Sequence, residues 1–220
     1  MPTTPLLLSL YLAMGPMTVV EDGSTTLIQQ AVRGGRWLGD EASLAVAASA
    51  SGVAGAVLVG AQVEAVITAA HAKGSTIGES AAAAYRAGGL RALLVPHGLT
   101  MIAAREAPYC GCLFFLSGRI RERMRPSESQ QPSFWRRTAC DYCAAALTAL
   151  IAGPLSHAPS VVAAYQQAHA ATLRDALLRI HHERGGLWGF YHGLVPRTCS
   201  LSGSLFIVPF VIEILQPLVG

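Results

Sequence analysis

Arg105 and Glu106 stand side by side in the middle of an otherwise apolar run, Ala92 to Gly118. An ionisable residue at membrane depth is costly, so it marks charge recognition or an ion pathway unless it serves local packing or a partner chain. Three lone carboxylates share this character. Glu64 is the only charge between Ala42 and Ala72, Asp141 between Thr138 and Leu173, and Glu213 between Thr198 and Gly220. Such residues pair charges and bind them; they do not by themselves make bonds. No G-x-S-x-G, no H-E-x-x-H and no phosphate loop is present, since "AKGST" (Ala72 to Thr76) lacks the glycine required before Lys73. No enzyme constellation is expected.

Cys140 and Cys143 fall on one helix face at a spacing compatible with zinc, but no second C-x-x-C or His pair completes a site. Cys110 and Cys112, two apart, point to different faces of a helix. Neither a metal nor a cofactor is expected.

The elements that carry these residues are long and apolar. Of the 220 residues 52% are apolar and 13% charged, with a mean hydropathy of +0.42. A soluble domain carries about 25% charged residues, because it must solvate a large surface. The three stretches named above each exceed the roughly 20 residues that cross a bilayer as a helix. The chain is expected to be an integral, all-α membrane protein. Leu6 to Val20, about 15 residues, is a marginal first span. It lacks the basic flank of a signal peptide. Arg119, Arg121, Arg123 and Arg125 follow one apolar run and Arg136 with Arg137 precede the next. That placement suits lipid headgroups rather than nucleic acid.

One phrase recurs. "RAGGLRALLVPHGL" (Arg86 to Leu99) and "RGGLWGFYHGL" (Arg184 to Leu194) align Gly89 with Gly186 and His97 with His192, giving a repeat of about 96 residues. Each copy reads as a long apolar helix, a short amphipathic helix (Ile77 to Ala87; Thr172 to Glu183), a Gly-Gly-Leu link and a second apolar helix. A fainter first copy, "RGGRWLG" (Arg33 to Gly39), runs directly into the next long helix with no room for a second span. The expected units are residues 1–41, a truncated first repeat, and residues 42–133 and 134–220, two fuller ones.

This organisation resembles the mitochondrial carrier family, in which three repeats each supply two spanning helices and one matrix-side helix. The likeness covers Ala42 to Gln216 and is carried by "AAREAPYCGCLFF" (Ala103 to Phe115), "AGPLSHAPSVVAAYQQ" (Ala152 to Gln167) and "GLWGFYHGLVPR" (Gly186 to Arg197). It implies a carrier-like repeat fold of about five spans with short matrix-side helices, in the mitochondrial inner membrane. It also implies that Arg105, Glu106 and Ser200 occupy substrate-contact positions.

The departures concern gating. Glu64 keeps an acid of the matrix-side gate, but Gln62 stands for the proline before it and Ile67 for its basic partner. In the next repeat only Gln167 survives, with Ser160 at the acid and Ala163 at the basic position. At the other mouth Arg121 and Glu213 keep one basic and one acidic position, whereas Gly118 and Gln216 replace their counterparts. Glu64 is thereby left without a partner along its own helix, and Arg121 to Glu213 is the one bridge expected. The reading favoured is a divergent carrier retired from transport and kept as an accessory subunit of an inner-membrane complex, a respiratory complex or ATP synthase. Its expected partners are the other subunits and membrane lipids, including cardiolipin at the matrix-side helix ends. The alternative is a working carrier for a small metabolite.

Overall fold

In the computed structural model, Thr76 and Thr172 start helices in the same way, 96 positions apart in the sequence. Each threonine hydroxyl accepts the backbone N–H of an acidic residue three positions on, Glu79 at 3.3 Å and Asp175 at 3.2 Å. Glu79 reaches back to the Thr76 N–H at 2.8 Å. These bonds occupy amide donors that the first turn of a helix leaves free. Described are residues 39–125 and 133–219 with Ser24 and residues 27–30, and side chains through Ile207. Leu6 to Val20 and Arg33 to Leu38 lie outside the described residues.

The described chain is helical throughout. α1 spans Asp40–Lys73 with a π-helical turn at Ala56–Gly60. α2 spans Ile77–Leu94, broken at Gly88 and Gly89. α3 spans Leu99–Met124, with Pro108 inside and a π-helical turn at Gly111–Leu116. α4 spans Phe134–His169 and α5 spans Leu173–Glu183. A 3₁₀ turn at Gly186–Tyr191 leads into α6, Leu194–Val219. Left-handed backbone punctuates both repeat copies at matching places: Gly74 and Ala170 end α1 and α4, Gly89 and Gly186 break the links, and Gly98 and Gly193 precede α3 and α6. Ala170 is the one of these six that bears a side chain, at a φ of 49°, a conformation glycine adopts more cheaply.

α1, α3 and α4 are long and apolar enough to cross a membrane. α6 has 26 residues, about 39 Å at helical rise. The long helices pack in chain order, α1 on α3, α3 on α4 and α4 on α6, each pair antiparallel; the C-terminal half of α1 also reaches α4. α5 lies across α4 and the 3₁₀ turn. No packed interface joins α1 to α6 among the described residues, so the four form an open arc.

Side-chain size is sorted inside out. The buried positions are mostly small: Ala56, Ala61 and Ala163 surround Ile102, and Ala145 and Ala149 meet Leu113 and Leu205. Large side chains such as Leu58, Leu150 and Leu155 face outward, more than half exposed. Lipid solvates such side chains as well as a protein core does, so helices in it gain from close approach through small residues. Gly52 of α1 shows the closeness. A Cβ there would stand 2.5 Å from the Glu106 carbonyl oxygen and 2.9 Å from Cys110 Sγ.

Candidate functional site

The π-helical turn of α1 inserts an extra residue and so turns the helix after it relative to the helix before it. Gln62 secures this turn. Its Nε2 donates to the Val57 carbonyl, inside the turn, at 2.6 Å and to the Leu94 carbonyl, at the end of α2, at 3.0 Å. A proline at this position would supply neither bond. Two residues on, Glu64 meets Arg105 of α3.

Arg105 grips Glu64 with two parallel bonds, Nη1 to Oε1 at 2.7 Å and Nη2 to Oε2 at 2.6 Å. Its Nε donates to Glu106 Oε1 at 2.7 Å. The Arg105 and Glu106 side chains are only 12% and 7% exposed, Glu64 30%. Bidentate, charge-assisted bonds of this kind offset desolvation that a lone ion could not bear. The sequence left Glu64 without a basic partner three positions on; the partner stands 41 positions away, on another helix.

A second ionic knot ties α3 to α4. Arg125 holds Asp141 through Nε to Oδ1 at 2.9 Å and Nη2 to Oδ2 at 2.8 Å. Arg121 adds an ion contact at 3.5 Å without a hydrogen bond. Arg121 thus meets Asp141; the side chains of Glu213, its expected partner, and of Gln216 lie outside the described residues. The signal for this knot was available: Asp141 is the lone charge of its stretch, and Arg121 and Arg125 are four apart on one helical face. Arg119 with Glu41 is exposed and contributes little.

Ser200 is exposed and takes no part in either cluster. Arg197, three residues earlier on α6, lies within electrostatic range of Arg105, Glu106 and Glu64. Gln167 is buried, and neither of its amide atoms has a partner. His157 of α4 is buried, its Nε2 3.0 Å from the His192 carbonyl and its ring stacked on Tyr191. Cys143 is exposed and Cys140 partly so, and among the described residues no three His, Cys, Asp or Glu side chains gather as a metal site would need. An apolar groove of about 320 Å³ between α1 and α2, lined by Gln62, Val63, Val66, Ile67, Ile77 and Leu93, holds none of these charges.

No family model, curated protein or solved structure matches this chain. The carrier resemblance stands on the sequence motifs alone. Chemically, the two knots do one thing plainly: each fixes α3 to a neighbour, α1 on one side and α4 on the other.

Proposed function

We propose that this protein is a divergent, carrier-like protein of the mitochondrial inner membrane that has given up transport and serves as a packing subunit of a larger inner-membrane assembly. The open arc carries this reading: among the described residues α1 and α6 end the row with no packed interface between them, and a neighbouring subunit would cover the edges that a closed barrel would not have. Of about five expected spans, α1, α3, α4 and α6 form the arc among the described residues. The short helices α2 and α5 lie in the membrane interface, where their capped N-termini and adjacent arginines suit anionic headgroups, cardiolipin among them.

The interior charges support the same reading. Alternating access needs latches that open and close within a few kcal/mol of one another. Here the Glu64 to Arg105 and Arg125 to Asp141 bonds are bidentate and partly or largely buried, which suits permanent fastening. Native-gel migration with mass spectrometry tests the proposal. The subunit reading expects the chain in a large complex at fixed stoichiometry; migration alone near its 23.0 kDa mass would overturn it.

A second reading, a working carrier for a small metabolite, draws on Arg197, a cation beside the cluster that no carboxylate holds among the described residues. It expects substrate-dependent uptake by liposomes containing only this protein, abolished by Arg105→Ala.

A further inference from the structure

Each repeat copy ties its link back to its own long helix through one side chain that meets a backbone carbonyl. In one copy Gln62 of α1 donates to the Leu94 carbonyl at 3.0 Å. In the other, His157 of α4, 95 positions later, holds the His192 carbonyl at 3.0 Å through Nε2. Both carbonyls stand shortly before a left-handed glycine, Gly98 or Gly193, that opens the next spanning helix.

The two clasps differ in chemistry. A carbonyl only accepts, so Nε2 carries the proton of the neutral ring and Nδ1 is bare. His157 is 4% exposed, its ring is stacked on Tyr191, and Nδ1 is buried with no hydrogen-bond partner. A second proton would place a donor and a charge where nothing accepts them, which costs free energy. The groups facing the ring are Tyr191 and His192 of the link. From α6 comes Arg197, whose neighbour Thr198 abuts Gly153, one turn before His157. None of these is a carboxylate that would offset the added charge. The Gln62 amide does not titrate, and His97 and His192, the ring-bearing residues of the links themselves, are both exposed.

We propose that the His157 clasp is a proton-operated switch: the Gly186 to His192 link closes on the neutral ring and is released when the ring takes up a second proton, while the link held by Gln62 stays closed. Release uncovers the ring, and solvent protonates a free histidine below about pH 6.5. The closed state excludes that proton, so closure is complete above this value and is lost progressively as pH falls below it. Between about pH 7.5 and pH 5.5, uptake of one proton on release lowers the closed-to-open ratio about tenfold. The switch goes beyond the packing-subunit reading and does not depend on it, since it needs only the link and the helix beneath it.

Hydrogen–deuterium exchange of the full chain in detergent micelles tests it. Both links are read in one sample at each of those two pH values, after correction for the intrinsic exchange rate. The expected result is that protection of the Gly186 to Leu194 segment falls about tenfold relative to the Gly89 to Leu99 segment as pH is lowered. His157→Gln, which puts the amide of the other copy in this place, is expected to abolish the response. A ratio between the links that does not change with pH overturns the proposal with the unmodified chain alone. A response that persists in a folded His157→Gln chain overturns it as well.

Discussion

Arg105 on α3 holds Glu64 on α1 through two parallel hydrogen bonds of 2.7 and 2.6 Å, and this clamp orders the consequences of mutation. Removing Arg105 strands two carboxylates, Glu64 and the buried Glu106. Removing the charge of Glu64 leaves Arg105 still bonded to Glu106. Arg105→Met is expected to cost on the order of 3 kcal/mol, and Glu64→Gln clearly less because that carboxylate is partly solvated. Equilibrium unfolding in mixed micelles measures both; a larger loss from Glu64→Gln would refute the assignment of Arg105 as the shared cation.

Asp141 of α4 anchors Arg125, and Arg121 beside it, at the C-terminal end of α3. The arginine side chains are 30% and 20% exposed, so water relieves part of the loss. Asp141→Asn is expected to destabilise by about 1 kcal/mol and to speed proteolysis between the two helices. Added salt should weaken the unmodified knot and narrow the gap to the variant. A gap that does not respond to salt would argue against an ionic cause.

Gly52 and Gly203 separate close packing from helix propensity. Any side chain at Gly52 meets the Glu106 backbone oxygen and Cys110, whereas a Cβ at Gly203 meets nothing within 4 Å. Gly52→Ala should therefore cost about 1–3 kcal/mol through forced separation of α1 and α3. Gly203→Ala should be neutral or slightly stabilising, as alanine is the better helix former. Thermal unfolding of the two variants in the same detergent decides the matter, and equal effects would mean that the α1 to α3 crossing is looser than described.

Glu79 gives the start of α2 a pH dependence. The backbone N–H of Thr76, and then its hydroxyl, hold the carboxyl below its ordinary value of 4.5. A group with a lowered folded-state pKa stabilises above its unfolded value and loses that contribution as pH falls through the folded one. The stability difference between the unmodified chain and Glu79→Ala should thus be fullest above pH 4.5 and shrink under stronger acid. Thermal unfolding across that range checks the sign; a difference that grows as pH falls would contradict the capping role.

Much of the local architecture is legible in the residue order. Long runs with a single charge each, Glu64, Asp141 and Glu213, dictate helices of bilayer length, because a backbone without water must bond within its own segment. Thr76 with Glu79 and Thr172 with Asp175 mark helix starts at the repeat spacing. The Gly-Gly phrase marks breaks that left-handed backbone then makes. These are local matters, settled within a turn or two of helix.

The partner of Glu64 was not legible. Reading along the helix assigned Ile67 to the position that should neutralise Glu64, whereas the folded chain supplies Arg105 from another helix. Arg121 meets Asp141, and the side chain of Glu213, which family spacing assigned to it, lies outside the described residues. Sequence periodicity fixes which residues share a helical face, but the azimuth of that face depends on every residue before it. The π-helical turn at Ala56–Gly60 changes the azimuth of Glu64 in the middle of its helix, and the close approach at Gly52 then sets which side chain on α3 lies within reach. Only the packed arrangement of the helices could decide which buried charges meet, since that depends on distances between segments that no single segment encodes.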